Sequence, residues 1–238
     1  MVSNGMSDTF CIDRNLHFCR LSDSVVFLDA QNDRYFAFSA IWTELFMQIC
    51  ESGKSELSKE ATAFAYELVA RNILTTDSTM GRELSACSTI PPRWAILDEW
   101  TEAGPKITLY DILIFLRAIV EVKLLVMFSG KSTIRRVFDR AEAWKAAAGQ
   151  NNPSSARLVI HDTRVFHRLT PFFLSAHDEC FFRSVLLFRY LCRKGLCTEL
   201  QIGVRNAPFR AHCWVSFEGI VLNDFLDSVL EFTPILSI

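Results

Sequence analysis

Hydrophobic and polar positions in residues 1–85 follow the pattern of three short strands and then helices. The runs at 16–20, 25–29 and 34–38 are rich in aromatic and β-branched residues, and polar turn residues separate the second run from the third. Apolar residues then recur at helical spacing after Ser39 and again after Ser58, and serine is a favoured N-cap. The pattern predicts a small three-stranded sheet followed by helices.

Residues 85–105 interrupt these patterns with prolines, serines and a glycine. Such residues break helices and strands, so a domain boundary is expected here. We therefore predict an α+β protein with one domain at 1–85 and a second at 95–238.

The most apolar stretch lies at 107–128 and is long enough to raise the question of a membrane span. Charged side chains interrupt it at Asp111, Arg117, Glu121 and Lys123, and each would cost about 2–3 kcal/mol near the centre of a bilayer. The stretch is therefore predicted to be a long, mostly buried helix, and membrane association is not expected.

The pattern of the remaining chain changes from helical to extended. Apolar residues at helical spacing predict helices at 132–148 and 181–194. Alternating positions then predict strands at 198–204, 211–217 and 219–223. Helices followed by neighbouring strands place the second domain in the α+β class.

Composition and charge exclude several classes of function. The 238 residues are 50% hydrophobic with a net charge of -2, which indicates a globular protein without the basic surface of a nucleic-acid-binding protein. The N-terminus lacks the apolar segment of a signal peptide, so we expect a cytoplasmic protein. Eight irregularly spaced cysteines without a CxxC pair predict free thiols rather than disulfides or a metal site.

One short motif resembles part of a phosphate-binding loop. Residues 129–132 read Ser-Gly-Lys-Ser, but the first glycine of that motif would fall at Leu125, and a helix rather than a strand precedes it. The glycine is better explained as the end of one helix and the serine as the cap of the next. We therefore expect no cofactor.

Three residues of the second domain can together form a thiol catalyst. A catalytic cysteine needs an imidazole to exchange protons and a third group to orient that imidazole. Cys180 is predicted to begin a helix, capped by Asp178 or Ser175, where the helix dipole lowers a thiol pKa. His212 on a strand and Asp224 near the end of the next strand complete the predicted triad.

The turn between the last two predicted strands decides whether Asp224 faces His212. A two-residue turn at 218–219 would pair Cys213 with Asp224 and send His212 to the opposite face. A three-residue loop at 217–219, with its glycine left-handed in a bulge, would pair His212 with Asp224 directly. Both turns are chemically allowed, and the second is expected because only it builds the triad.

Three other histidines are candidates for the base. His161, His167 and His177 do not lie on a strand beside a carboxylate in the predicted arrangement. His177, three residues before Cys180, is the best alternative among them.

Several short motifs carry a resemblance to a known family. They are Asp178-Glu179-Cys180, Leu200-Gln201-Ile202-Gly203-Val204-Arg205, Pro208-Phe209-Arg210-Ala211-His212-Cys213-Trp214-Val215 and Val221-Leu222-Asn223-Asp224. The series resembles the lasso-peptide maturation B proteins, which are transglutaminase-like leader peptidases. The one departure is Cys213, where the family pattern leads us to expect a small residue such as alanine or serine.

The layout of 1–85 resembles the precursor-peptide recognition domain that two-domain B proteins carry in front of the peptidase, a winged-helix-like module. The resemblance implies capture of a leader peptide there and cleavage at the junction between leader and core. It also implies an ATP-dependent, asparagine-synthetase-like lactam synthetase as partner, and a role in antibiotic biosynthesis.

Leader binding is expected at the last strand of the small sheet, by addition of a further strand to its edge. The candidate residues are Arg34, Tyr35, Phe36 and Ala37 on that strand and Glu67 and Arg71 on the predicted 59–72 helix. The alternative is that this edge is covered and the domain only stabilises the peptidase.

Two other functions fit the same residues. The triad can transfer an acyl group to an amine, as in transglutaminases and arylamine acetyltransferases. The chain can also be a peptide-binding scaffold without catalysis.

Overall fold

The computed structural model divides the chain into two compact units, Met1–Cys87 and Ser88–Ile238. It describes residues 9–51, 57–99, 104–130, 132–149, 155–174 and 180–238. All eight cysteines lie within these ranges and are free thiols, as predicted from their spacing.

The first unit contains the three predicted strands as one antiparallel sheet. These are β2 (Leu16–Arg20), β3 (Val25–Asp29) and β4 (Arg34–Phe38), in the order β2-β3-β4. A second small sheet places β1 (Cys11–Asp13) between β5 (Leu74–Thr75) and β6 (Gly81–Arg82), which the sequence pattern did not predict.

Two helices pack on these sheets. They are α1 (Ala40–Glu51) and α2 (Lys59–Ala70). Ser58 caps α2 by accepting a hydrogen bond from the Ala61 N–H, as predicted, but the helix ends at Ala70 and not at 72. Asn72 has a φ of 57°, a left-handed conformation that ends helices.

Aromatic side chains form much of the core of the first unit. Phe27 is fully buried and contacts Phe18, Phe36, Phe38 and Phe46 with ring centroids 4.7–5.9 Å apart. Burying each such side chain stabilises a fold by roughly 1.5–3 kcal/mol, so this cluster holds the sheet against α1.

Over its described residues, the second unit combines five helices with a five-stranded sheet. Its helices are α3 (Leu109–Met127), α4 (Thr133–Ala148), α5 (Ala156–Phe173), α6 (Cys180–Arg193) and α7 (Leu226–Leu230). Its strands are β7 (Trp94–Ala95), β8 (Glu199–Arg205), β9 (Arg210–Phe217), β10 (Ile220–Val221) and β11 (Thr233–Ser237). The sheet order is β11-β8-β9-β10-β7, and β7 and β10 are parallel.

Helix α6 lies at the centre of this unit, buried along most of its length between β9 and the helices α3, α4 and α5. Two ion-pair clusters fix its C-terminal end. Glu121 of α3 binds Arg189, at 2.5 Å, and Arg193. Lys194 binds Asp162 of α5, at 3.0 Å, and Asp111 of α3. The helix is therefore held in place from its C-terminal end, and its N-terminal residue is Cys180.

The prediction that 107–128 is mostly buried is wrong. Helix α3 buries one face through Ile114, Phe115, Ala118 and Val122. Its other face is also apolar but exposed, at Leu109, Tyr110, Leu113, Leu116, Val120, Leu124 and Met127. A run of apolar residues does not reveal that only one face of the helix has neighbours. Within the described residues, none of the helices has the length and apolar character needed to cross a bilayer.

Candidate active site

Cys180 is the first residue of α6, and it is exposed. The N–H groups of the first helical turn have no partners within the helix, which makes this end positive. The thiol therefore lies where the backbone favours a negative charge. The predicted capping residues Ser175 and Asp178, and the alternative base His177, lie outside the described residues.

His212 lies on β9 opposite Gly203 of β8. Its ring lies near two aromatic rings: that of Trp214, with centroids 6.0 Å apart and planes inclined at 22°, and that of Phe232, 5.2 Å away. Trp214 is buried because Gly203 leaves room for it: a Cβ on Gly203 would come within 2.6 Å of the indole. The glycine, the indole and Phe232 together fix the orientation of the imidazole.

The structure brings the three predicted catalytic side chains together. His212 Nε2 and Asp224 Oδ2 are 2.5 Å apart. The Cys180 thiol lies close enough to the imidazole for the two side chains to shift each other's pKa. Because Nε2 is taken by Asp224, Nδ1 is the nitrogen left to exchange a proton with the thiol.

The electrostatics of this cluster favour a thiolate–imidazolium pair. The hydrogen bond from His212 lowers the pKa of Cys180, with further contributions from the imidazolium charge and from the backbone N–H groups of Cys213 and Phe181, against the opposing effect of burial. Burial by itself lowers the pKa of His212, but hydrogen bonds and charges from Asp224 and Cys180 outweigh it and raise that pKa to about 9.

The predicted three-residue loop is wrong, because Phe217 pairs directly with Ile220. The turn has two residues, Glu218 with a φ of 50° and Gly219 with a φ of 83°. Both values are positive, as a type I′ turn requires, and glycine accommodates this conformation. The expected left-handed Gly219 is present, but in the register that was expected to separate His212 from Asp224.

Asp224 nevertheless reaches His212 because the β9–β10 ladder ends after Val221. Leu222 still donates its N–H to the Val215 carbonyl at 2.9 Å. In a regular ladder the Val215 N–H would bond to the Leu222 carbonyl in return. It instead donates to Asn223 Oδ1 at 2.7 Å. The chain leaves the sheet at this point, so the alternation of faces no longer decides where Asp224 points.

His167 takes the place of the missing backbone donor. Its Nε2 donates to the Leu222 carbonyl oxygen at 2.7 Å. Burial lowers the pKa of His167, which keeps the ring neutral while Nε2 carries the proton. His161, by contrast, is exposed beside Asp162 at 3.1 Å. Neither histidine is positioned as the base for Cys180.

The residues proposed for leader binding fall into two groups. Arg34, Tyr35, Phe36 and Arg71 line one cavity of about 590 Å³ in the first unit, together with Leu16, Asp29 and Ile73. Ala37 and Glu67 do not line it. Glu67 pairs with Arg71 on α2 at 2.5 Å, and Arg34 with Asp29 at 2.9 Å.

Strand β4 forms one edge of its sheet, and the hydrogen-bond alternation shows which of its amides point outward. The N–H of Ala30, just beyond β3, donates to the Asn15 carbonyl on the β2 side. Backbone groups alternate in direction along a strand, so the even-numbered residues of β3 face β2 and the odd-numbered ones, including Phe27, face β4. Phe27 pairs with Phe36, whose N–H therefore belongs to the ladder. The N–H of Ala37 faces the sheet edge.

Comparison with known proteins identifies the family of the second unit. Residues 119–237, half of the chain, match the family described as the transglutaminase-like superfamily. The chain belongs to the transglutaminase-like superfamily. The superfamily match contains all three residues of the candidate triad.

A curated relative of this transglutaminase-like protein is the microcin J25-processing protein McjB of Escherichia coli. It is 27% identical over 129 residues, which are 53% of this chain and 60% of the relative. The chain thus matches less than two thirds of that relative's length. No solved structure gives a significant match.

The sequence pattern of this transglutaminase-like domain did not predict the roles of the side chains around the triad. Asn223 and Ser184 were not predicted to act there, although Asn223 stands next to Asp224 in one of the motifs that carry the family resemblance, and His167 was weighed only as a base. Groups of three or more His, Cys, Asp or Glu that could hold a metal ion do not occur in the described parts of the chain.

Proposed function

We propose that this protein is a cysteine peptidase that binds a ribosomal precursor peptide and removes its leader during lasso-peptide biosynthesis. The observation that carries the proposal is the pairing of His212 with Asp224 at 2.5 Å, together with the effect of His212 in lowering the pKa of the Cys180 thiol. The relative named as a microcin J25-processing protein supports a role in peptide maturation.

The reaction follows from the geometry of the triad. The Cys180 thiolate attacks the carbonyl carbon of the last leader residue, and the bond from that carbon to the core nitrogen breaks. Protonated His212 gives its Nδ1 proton to the leaving amine, and Asp224 holds the imidazole by Nε2. Water, deprotonated by His212, then hydrolyses the leader thioester, which releases the leader with a free carboxyl group and restores the Cys180 thiolate and the His212 imidazolium. The Cys180 backbone N–H, unpaired within the helix, is suited to stabilise the oxyanion.

The first unit supplies leader recognition in this proposal, as a winged-helix-like module. An extended leader would pair with β4 through the outward N–H of Ala37 and through neighbouring backbone groups. Alternate leader side chains would then lie toward the cavity that Tyr35 and Phe36 line, with Arg34 and Arg71 at its polar part. The nearby Glu67–Arg71 pair on α2 offers charges of both signs to the leader.

The proposed setting is the cytoplasm, where precursor peptides are synthesised. The partner would be the ATP-dependent, asparagine-synthetase-like lactam synthetase, which consumes the core released by this cleavage. The freed amine of the core is the chemical product that a lactam-forming enzyme requires.

The test is incubation of the purified full chain with candidate precursor peptides encoded near its gene, followed by mass spectrometry. Hydrolysis predicts a leader fragment with a free carboxylate and a core fragment with a free amine. A leader joined to an added amine would indicate acyl transfer. Cys180→Ala should reduce cleavage by several orders of magnitude while precursor binding persists. Cys197→Ala is the matched control, and unchanged cleavage by Cys180→Ala contradicts the proposal.

A further inference from the structure

A buried hydrogen-bond cluster links the segments that carry the three triad residues. Ser184 of α6 is fully buried, and its Oγ lies 2.8 Å from the carbonyl oxygen of Cys180 and 2.7 Å from that of Cys213. The side-chain amide of Asn223 donates to the same Oγ across 2.8 Å. The hydroxyl thus touches Cys180 itself and the sequence neighbours of the other two triad members.

The side-chain amide of Asn223 forms hydrogen bonds through both its nitrogen and its oxygen. Its Nδ2 donates to Ser184 Oγ, and its Oδ1 accepts from the Val215 N–H at 2.7 Å. The partners fix the orientation of the amide, because Val215 offers only a donor. One side chain therefore joins strand β9 to helix α6 and also replaces the backbone partner that β10 would have supplied.

These hydrogen bonds tie helix α6 both to β9 and to the segment of Asp224. The bond from Ser184 to Cys213 ties α6 to β9, directly after His212. The bond from Asn223 to Ser184 ties the segment of Asp224 to α6. Asn223 also takes the Val215 N–H where the β10 ladder ends. The same side chain therefore helps to turn Asp224 toward His212 and links this segment to the helix of Cys180.

The same cluster bears on the groups that surround the sulfur. The Cys213 peptide accepts from Ser184 through its carbonyl, and its N–H helps to lower the pKa of the Cys180 thiol. A shift of α6 along β9 would separate the thiol from this N–H and from His212 together. A buried hydroxyl that loses a partner costs about 1–3 kcal/mol, so the cluster strongly favours one arrangement.

We propose that Asn223 and Ser184 are positioning residues that hold Cys180, His212 and Asp224 in their reactive arrangement. This inference rests on the proposed function only in taking the triad as the reactive centre. Neither residue touches the reacting atoms, so both act through the segments that they join.

The test measures the rate at which iodoacetamide alkylates Cys180 as a function of pH, in the full chain, by mass spectrometry of the Cys180 peptide. Asn223→Ala removes both ends of the link, and Ser184→Ala deletes a single atom and should fold. Each variant should raise the apparent thiol pKa by about one unit, the lower end of the effect of a neighbouring charge, and slow alkylation near neutral pH about tenfold.

Thr170→Val is the matched control. It removes another buried hydroxyl of the same unit, which donates to the Phe166 carbonyl oxygen, 2.9 Å away within the same helix α5. It should lower the unfolding temperature without moving the alkylation profile. The inference is overturned if both variants keep the wild-type profile, or if the control moves it equally.

Cleavage of precursor peptides, measured in parallel, separates this inference from the proposed function. If the wild-type protein cleaves no candidate precursor but its Cys180 profile responds to both variants and not to the control, the positioning role stands. If precursor cleavage persists while the profile is unmoved, the positioning role fails alone.

Discussion

The β2–β3–β4 sheet of the first unit has complete ladders, whereas the ladder of the β9–β10 hairpin in the second unit is short. In the first, both ladders pair five residues without a shift. In the second, the ladder has two pairs and then stops at Leu222. Where the ladder is complete, alternation and turn length determine which face a residue occupies. Where it stops, side-chain hydrogen bonds decide, and the candidate catalytic carboxylate lies there.

The largest effect within this comparison is expected at Asp224, which depends on the broken ladder. Asp224→Asn presents an amide to His212 Nε2, and an amide that donates there leaves the imidazole in the wrong tautomer. We expect the rate of precursor cleavage to fall by about 10³–10⁴ with a smaller change in KM. Asp227→Asn, on the exposed start of α7, is the control and should cleave normally. Equal loss in both variants would argue against the triad.

A second variant tests the support beneath His212. Gly203→Ala places a methyl group 2.6 Å from the buried Trp214 ring, which cannot move without displacing the imidazole stacked on it. We expect a fall of about 10–100-fold in cleavage rate, together with a loss of about 1–3 kcal/mol in the free energy of unfolding. Gly149→Ala, with 3.2 Å to its nearest neighbour, serves as control. Wild-type kinetics for Gly203→Ala would show that the imidazole does not depend on this packing.

The complete ladder of the first unit allows a paired proline test. Proline at Phe36 removes a ladder hydrogen bond to β3, whereas proline at Ala37 removes an N–H that faces the sheet edge. Ala37→Pro should weaken binding of labelled leader peptide about tenfold and preserve the circular dichroism spectrum, and Phe36→Pro should destabilise the unit. If Ala37→Pro binds leader as the wild-type protein does, strand addition at β4 is excluded.

The smallest effect concerns pH. Cleavage requires thiolate and imidazolium together, so its rate should rise through the lowered pKa of Cys180 and fall as His212 loses its proton near pH 9. The free energy of unfolding should also depend on the protonation of His212. The raised pKa of His212 stabilises the fold fully below 6.5 and loses this effect as pH rises through about 9. A rate that keeps rising beyond about pH 10 would contradict the ion pair.

Much of the first unit was predictable because its elements are regular. The strands at 16–20, 25–29 and 34–38 have the predicted bounds, and Ser58 caps its helix as predicted. Strands β1, β5, β6 and β7 escaped because two or three residues are too short for any periodicity. The exposure of one face of α3 was not predicted, because the sequence pattern of an apolar residue is the same whether or not a neighbour covers it.

The candidate site was predictable in its members but not in its geometry. A cysteine at a helix start and a histidine on a strand both lie where the pattern places them. The position of Asp224 depends on Asn223 and on His167, which is 55 residues distant from Leu222 in sequence. The requirement that Asp224 face His212 led to the wrong turn length. The direction of Asp224 depends on contacts of Asn223 and His167 that sequence spacing does not reveal.

An affinity label can show whether Cys180 is the nucleophile for leader cleavage. A leader peptide that ends in a vinyl sulfone should react with the full chain, and peptide mapping locates the adduct. We expect one equivalent of label on Cys180, with precursor cleavage lost in proportion. Label on another cysteine, or cleavage that persists in fully labelled protein, would contradict this role of Cys180.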